Sequence, residues 1–86
     1  MKVTLKLQRY GMNMSEATIA EWHVNVGEKF TAGAPLYSVE TEKVNQEFIA
    51  PASGTVVEIY VEAGRDALVG QALGVADYEV GNNPVN

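Results

Sequence analysis

Residues 18–40 and 55–77 of this chain are two copies of one pattern, set 37 positions apart. Six of the 23 aligned positions are identical, whereas chance would supply about one or two in so short a window. The identical pairs are Thr18 and Thr55, Glu21 and Glu58, Val24 and Val61, Gly27 and Gly64, Gly33 and Gly70, and Leu36 and Leu73. Each copy is too small to bury its own apolar face, so the two copies must pack against each other.

The residues within each copy alternate between apolar and polar, which is typical of half-buried strands. The same alternation begins near the start of the chain with Val3, Leu5 and Leu7. Glycines recur too often for a long helix, because each one lowers helix propensity. We therefore expect eight short strands, with ends defined to within about two to four residues. They cover residues 2–8, 17–24, 29–31, 36–41, 44–50, 55–60, 66–68 and 72–77.

These strands predict an all-β fold, a flattened antiparallel β-barrel or sandwich of two four-stranded sheets with a pseudo-twofold axis between the copies. A chain of 86 residues allows one compact domain. We expect that domain to span residues 1–79. Residues 80–86, which contain a glycine, a proline and three asparagines, are typical of a flexible tail or the start of a linker.

Composition and charge exclude several classes of function. The net charge of -5 argues against a nucleic-acid-binding protein, which needs a basic surface. The absence of cysteine rules out disulfides, thiolate metal sites and thiol nucleophiles. The one histidine, His23, has no second histidine with which to form a zinc site, so we expect it on the surface. Because there is no long apolar run and no signal-peptide core, we expect a soluble, cytoplasmic protein that does not cross a membrane.

The repeat also singles out one lysine. The two copies are joined between residues 40 and 48, and the position equivalent to Lys43 in the second copy is Val80, where the pattern ends. A pseudo-twofold fold therefore places this junction at one end and both chain termini at the opposite end, so that Lys43 projects freely. On pattern alone, a lysine among acidic and amide side chains is a solvated surface charge.

Four segments carry further motifs. They are Glu40-Thr41-Glu42-Lys43-Val44, Gly11-Met12-Asn13-Met14-Ser15-Glu16, Glu21-Trp22-His23-Val24 followed by Gly27, and Ala50-Pro51-Ala52-Ser53-Gly54. With these motifs the chain, from Val3 to about Asp77, resembles the lipoyl domains of the acyltransferase subunits of 2-oxo acid dehydrogenase complexes and of related acetoin-cleaving complexes. The first segment corresponds to the Glu-Thr-Asp-Lys-Ala motif of that family.

The resemblance implies that Lys43 is joined by an amide to lipoic acid, as N6-lipoyllysine, and that the domain is a swinging-arm carrier rather than an enzyme. In such a carrier the cofactor supplies the chemistry and the protein supplies its position. The implied partners are a lipoyl ligase or lipoyltransferase, a thiamine-diphosphate dehydrogenase component, an acyltransferase catalytic domain and the flavoprotein dihydrolipoamide dehydrogenase. No metal is implied.

The residues around Lys43 agree with a lysine that is modified rather than catalytic. A catalytic amine is activated by burial or by neighbouring positive charge. Lys43 has neither, since its charged neighbours are Glu40, Glu42 and Glu47. A ligase must therefore present an activated lipoyl group.

The resemblance also implies recognition residues. Glu40 and Glu42 correspond to acidic positions by which lipoyl ligases recognise their target, and the alternative is that they are strand-end acids that favour solubility. The equivalent loop of the family lies beside the lysine hairpin and helps partner enzymes choose their carrier. Its candidate residues here are Arg9, Tyr10, Met12, Asn13, Met14 and Glu16. In the structural interpretation, methionine fills a gap in the core.

Two alternatives stay open on the sequence. A biotin carrier has the same fold, but its lysine lies between methionines, whereas Lys43 lies between Glu42 and Val44. Lipoyl domains usually have Asp and Ala at these two positions, so the ligase preference is open as well. A non-covalent docking module would use the acidic hairpin to bind a basic partner. The sequence names neither the acyl group nor whether the chain is free-standing or part of a longer acyltransferase.

Overall fold

The computed structural model describes residues 1–79, which form eight β-strands. They are β1 (Lys2–Lys6), β2 (Glu16–Trp22), β3 (Lys29–Phe30), β4 (Pro35–Glu40), β5 (Asn45–Ile49), β6 (Gly54–Ile59), β7 (Asp66–Leu68) and β8 (Ala72–Tyr78). All eight predicted strands are confirmed, with ends that differ by at most two residues. The predicted tail, residues 80–86, lies outside the described residues. Within residues 1–79 no helix is long and apolar enough to cross a membrane.

The strands form two four-stranded antiparallel sheets. Sheet A has the order β1-β8-β6-β3, and sheet B has the order β5-β4-β2-β7. The sheets share no strand, and their buried faces meet in one core. Of the two forms expected from the sequence, the fold is therefore the sandwich and not a closed barrel.

The internal repeat appears in the hydrogen bonds that join the two copies. The backbone N–H of Gly27 donates to the carbonyl of Val56 at 2.8 Å, and that of Gly64 donates to the carbonyl of Ile19 at 2.7 Å. A register shift that follows Ile19 in β2 is matched by one that follows Val56 in β6. Residues at equivalent positions of the two copies, here called mates, are 37 residues apart, as Gly27 and Gly64 are. Because mates make equivalent contacts, the repeat in the sequence is a pseudo-twofold axis in the structure.

The turns of both copies depend on glycine. The four glycines with positive φ among the described residues are Gly27, Gly33, Gly64 and Gly70, at 88° to 91°. A Cβ is strained in this conformation, so glycine is the residue that these turns accept most readily. Each glycine has its mate in the other copy, which indicates a role in the fold rather than in a ligand site.

Aliphatic and aromatic side chains from both copies fill the space between the sheets. The largest fully buried ones are Tyr37, Leu7, Ile19, Leu36, Leu73, Val39 and Val56. Tyr37 stacks on Phe48 with ring centroids 5.1 Å apart and lies 4.9 Å from the ring of Trp22. The mate of Tyr37 is Gly74, where an added Cβ would lie 3.3 Å from the Trp22 ring. The two copies thus pack as complementary large and small residues, and Trp22 packs against the core.

The copies differ most in one connection. Nine residues, 7–15, join β1 to β2, whereas four residues, 50–53, join β5 to β6. Leu7 and Ala50 are equivalent, because Gly70 donates its N–H to the carbonyl of Leu7 and Gly33 donates its N–H to that of Ala50, both at 2.8 Å. The additional residues of the longer connection form a loop without a counterpart in the second copy.

Candidate functional site

Lys43 lies on the turn between β4 and β5. The backbone N–H of Thr41 donates to the carbonyl of Val44 at 2.8 Å and closes this turn. The Thr41 hydroxyl accepts hydrogen bonds from the backbone N–H groups of Lys43 at 3.2 Å and Val44 at 3.1 Å. No non-glycine residue among the described ones has a positive φ. The threonine side chain, rather than a left-handed residue, therefore gives this turn its shape.

The side chain of Lys43 is exposed and takes part in none of the ion pairs within residues 1–79. Glu40, at the end of β4, and Glu42, on the turn, are exposed as well. Lys43 is thus a solvated ammonium group in an acidic hairpin, without the burial that activates a catalytic amine.

Strand β1 relates the start of the chain to Lys43. At one end of β1, the Met1 ammonium donates to the carbonyl of Tyr78 at 2.6 Å. The other end of β1 leads into the long loop, whose residues 11–15 lie beside the lysine turn. Met1 and Lys43 are therefore at opposite ends of the sandwich, as the repeat predicts.

An open groove of about 580 Å³ separates the lysine turn from the long loop. Residues 40–44 line one side and residues 11–18 line the other, and Asp66 of β7 also contributes. The loop side exists because the β1–β2 connection is longer than its counterpart. The groove is thus a consequence of the place where the repeat is broken.

Of the six residues predicted for partner recognition, five lie in the long loop and Glu16 begins β2. Those that line the groove are Met12, Asn13, Met14 and Glu16, and those that do not are Arg9 and Tyr10. Met12 is 91% exposed, which is unusual for a methionine. Met14 lines the groove and also packs against the core, so the functional and structural interpretations of this residue are compatible.

Tyr10 and Met14 hold the loop on the body of the domain. The backbone N–H of Tyr10 donates to Sδ of Met14 at 3.3 Å, and both side chains pack against the core. Burial raises the pKa of the Tyr10 hydroxyl, so this side chain is neutral at physiological pH. Tyr10 therefore anchors the loop rather than adding charge to the groove.

The sequence did not indicate that three further residues shape the groove. The Thr18 hydroxyl donates to Oδ1 of Asp66 at 2.6 Å and ties β2 to β7. These positions are 48 residues apart, and no local pattern connects them. The third is Thr41, whose capping role has a recognisable signal, since a threonine that opens a turn often hydrogen-bonds the backbone N–H groups after it.

His23 lies on the outer face of sheet B and does not line the groove. Its Nε2 lies 2.7 Å from Oγ of Ser38. Its ring lies between two carboxylates, with Nδ1 3.8 Å from Glu21 and Nε2 3.7 Å from Glu47. The expectation of a surface histidine is confirmed.

The fold is a two-sheet sandwich built from a repeat, with an exposed lysine on the turn that joins the two copies. The family model for biotin and lipoyl attachment, described as "Biotin-requiring enzyme", matches residues 3–75. The chain belongs to this family, and the matched residues lie inside the predicted domain.

Comparisons with individual proteins agree with this assignment. The chain is 39% identical over 69 residues to the dihydrolipoyllysine-residue acetyltransferase component of pyruvate dehydrogenase complex of Mycoplasma capricolum, a match that covers 80% of this chain and 16% of that protein. The lipoyl domain of the 2-oxoglutarate dehydrogenase complex from Azotobacter vinelandii superposes with a TM-score of 0.76 at 29% identity, over 87% of this chain and 95% of that domain. The chain is thus homologous to lipoyl domains of 2-oxo acid dehydrogenase complexes.

The fold is shared more widely. A single-chain, multi-domain long-chain acyl-CoA carboxylase superposes with a TM-score of 0.77 at 24% identity, over 92% of this chain and 7% of that one. At this identity the likeness concerns the fold alone. The chain also spans a small part, 16%, of the acetyltransferase component that it matches.

Proposed function

We propose that this chain is a lipoyl carrier domain, which shuttles acyl groups and reducing equivalents between the active sites of a 2-oxo acid or acetoin dehydrogenase complex. The observation that carries the proposal is the solvated Lys43 on a capped turn, at the end of the sandwich opposite Met1. The homology to lipoyl domains supports the same function. The domain itself catalyses no step.

Lys43 receives the cofactor through an amide bond. A lipoyl ligase or lipoyltransferase presents an activated carboxyl group of lipoate. The Lys43 ammonium group loses a proton, its nitrogen forms the new C–N bond, and the activating group and a second proton leave. The bound lipoyl group supplies a dithiolane that accepts an acyl group and two electrons. Amide formation removes the positive charge of Lys43 and makes the hairpin that contains Glu40 and Glu42 more negative.

The residues around Lys43 fix the backbone of the turn and leave the lysine side chain free. The hydroxyl of Thr41 holds the backbone of the turn, so the point of attachment is fixed. No side chain among residues 1–79 forms an ion pair with Lys43, so the lysine side chain with its lipoyl group can move freely. A fixed base and a mobile arm are what a carrier needs to reach several active sites.

The exposed groups near the turn are the proposed recognition elements. Glu40 and Glu42 flank the lysine and direct the ligase to it. Met12, Asn13 and Glu16 line the groove and contact the thiamine-diphosphate dehydrogenase component, which must select its own carrier. The remaining partners are the acyltransferase catalytic domain and dihydrolipoamide dehydrogenase, and the proposed compartment is the cytoplasm.

Biotin is the competing cofactor, since the family model covers both groups and a carboxylase shares the fold. The residues beside Lys43 favour lipoate. Glu42 and Val44 occupy the places of the two methionines that flank a biotin-bearing lysine. The homologous solved domain is a lipoyl domain as well.

Intact-mass spectrometry tests the proposal. The purified chain is incubated with lipoate, ATP and a lipoate ligase, and in parallel with biotin, ATP and a biotin ligase. We expect the mass to rise by one lipoyl amide in the first reaction and to stay unchanged in the second. Lys43→Arg should abolish the rise and Lys29→Arg, at an exposed lysine of sheet A, should retain it.

Three results would contradict the proposal. They are lipoylation at another lysine, efficient transfer of biotin, and a chain that remains unmodified in its source cell. A non-covalent docking module would also keep its binding to partner proteins after Lys43→Gln.

A further inference from the structure

The two sheets of the sandwich carry very different charges, although the repeat relates their strands. The strands of sheet B contain five acidic residues and no lysine or arginine: Glu16, Glu21, Glu40, Glu47 and Asp66. The strands of sheet A contain three lysines and two acids: Lys2, Lys6, Lys29, Glu58 and Asp77. The formal charge is therefore -5 on the strands of sheet B and +1 on those of sheet A.

The acids of sheet B belong to one outer face. All five are exposed. The strand register forms two rows across this face, one with Glu21, Ser38 and Glu47, and the other with Asp66, Thr18, Glu40 and Asn45. The contacts of His23 with Glu21 and Glu47 place the side chains of the first row on one side of the sheet, and the hydrogen bond between Thr18 and Asp66 does the same for these two residues of the second row. Glu16, two positions before Thr18 on β2, pairs with Leu68 outside both rows.

The fold does not require this concentration of charge. Like charges on neighbouring strands lower the stability of a sheet. Within residues 1–79 none of the five acids forms an ion pair with lysine or arginine, and His23 is the one basic group between Glu21 and Glu47. The matching row of sheet A is Thr4, Val75 and Glu58, with a single acid. The acidic face is thus a feature that the domain tolerates rather than one that stabilises it.

The acidic face of sheet B is continuous with the lysine turn. Strands β4 and β5 form half of the face, and they are the strands that the turn joins. Glu40 is the last residue of β4, three positions before Lys43. An enzyme that reaches Lys43 from this side covers the outer face of sheet B as it does so.

We propose that the outer face of sheet B, centred on Glu21 and Glu47, is the docking surface for the ligase that modifies Lys43, and that the ligase meets it with a surface rich in lysine and arginine. The inference rests on the proposed function. A basic surface is repelled by the ammonium group of Lys43, and five acids behind the turn outweigh that repulsion. Complementary charges of this kind speed association and orient the partner.

The repeat offers a matched pair of variants for the test. Glu21 and Glu58 are mates in the two copies, both are exposed, and both follow the same register shift in their strands. Glu21→Lys and Glu58→Lys therefore change the net charge equally but on opposite faces. Thermal unfolding of both variants serves as the check that they are folded. Glu47→Lys, on β5, repeats the test on another strand of the acidic face.

Lipoylation of each variant of the 86-residue chain by a lipoate ligase is followed by intact mass over a range of chain concentrations. We expect Glu21→Lys and Glu47→Lys to lower kcat/KM about five- to tenfold through KM, and Glu58→Lys to change it by less than about twofold. For the wild-type chain, kcat/KM should fall between about 0.05 M and 0.5 M salt, and this fall should be smaller for Glu21→Lys.

Equal rates of lipoylation for Glu21→Lys and Glu58→Lys would overturn the docking surface alone. If both rates were reduced, the rate would depend on net charge and not on its position, and if both were unchanged, it would not depend on charge. A wild-type chain that gains no lipoyl group at Lys43 would overturn the proposed function and this inference together.

Discussion

The Oγ1 atom of Thr41 accepts a hydrogen bond from the backbone nitrogen of Val44, 3.1 Å away, across the turn that carries Lys43. Short hairpin turns usually rely on residues with positive φ, most often glycine or asparagine. Here a hydroxyl group takes that role, so the turn has a defined shape without a glycine beside Lys43. One side chain thereby controls the geometry of the turn that carries Lys43, the proposed site of lipoylation.

Thr41→Val removes this hydroxyl and keeps the branched shape of the side chain. The N–H groups of Lys43 and Val44 lose their acceptor, and we expect the turn to lose about 1 kcal/mol of local stability. Amide hydrogen exchange at these two positions should accelerate, and lipoylation should slow. Thr41→Ser keeps the hydroxyl and should behave like the wild-type chain. Unchanged exchange in Thr41→Val would show that the turn does not depend on the cap.

Tyr37→Phe should stabilise the domain. The side chain of Tyr37 is fully buried, and its hydroxyl has no hydrogen-bond partner among residues 1–79. Removing this group relieves an unsatisfied polar atom and keeps the stack on Phe48, so we expect a gain of about 1 kcal/mol in the free energy of unfolding. Denaturant unfolding measures it. Tyr60→Phe, at an exposed hydroxyl that donates to Glu58, is the control and should change stability little. A loss of stability in Tyr37→Phe would refute the argument.

Asp77 should make stability depend on acid pH. The Met1 ammonium donates to its Oδ1 at 2.8 Å, and this hydrogen bond lowers the pKa of the carboxyl below its usual value of 3.8. A carboxyl whose pKa is depressed in the folded state stabilises the fold above the unfolded pKa and loses that contribution as pH falls through the folded one. Asp77→Asn should therefore flatten the decline of stability below about pH 4. Acetylation of the Met1 amine should have the same effect. If stability below about pH 4 fell as steeply in both modified proteins as in the wild-type chain, the role of Asp77 would be contradicted.

Gly74→Ala should destabilise the sandwich. An added Cβ would lie 2.5 Å from the carbonyl oxygen of Glu58 and 3.3 Å from the ring of Trp22. Neither the backbone nor the packed ring can yield easily, so we expect a loss of about 1 to 3 kcal/mol. The control is Gly11→Ala in the groove loop, where the added Cβ meets Cβ of Met14 at an ordinary 4.0 Å. Similar unfolding midpoints for the two variants would disprove the steric argument.

The sequence predicted the longer strands mainly from local alternation, such as that of Val3, Leu5 and Leu7, and the short strands β3 and β7 from their place between the repeated glycines. It also predicted the exposed position of Lys43, because the repeat implies where the two copies are joined. The sequence assigned the loop before β2 to partner recognition as a whole, and that role stays a prediction. The division within the loop was not predicted, since Met12 is exposed while Tyr10 packs on the core. A loop without periodic pattern carries no signal for which side chain turns inward.

The contacts that shape the groove could not be predicted from the sequence, for a related reason. Thr18 and Asp66 meet because β2 and β7 pair in sheet B, and no local pattern encodes that pairing. The unequal charges of the two sheets likewise emerge once the strand order is known. The acids are scattered from Glu16 to Asp66 in the chain and are brought together by the register of four strands.

By itself, then, the sequence determined the strands, the repeat and the lysine at the junction, because these depend on spacing along one chain. Only the tertiary structure decided which strands are neighbours, and with them the groove beside Lys43, the buried hydroxyl of Tyr37 and the acidic face of sheet B. The physical reason is that side-chain alternation specifies which face of a strand is buried, whereas packing between the sheets specifies what that face meets.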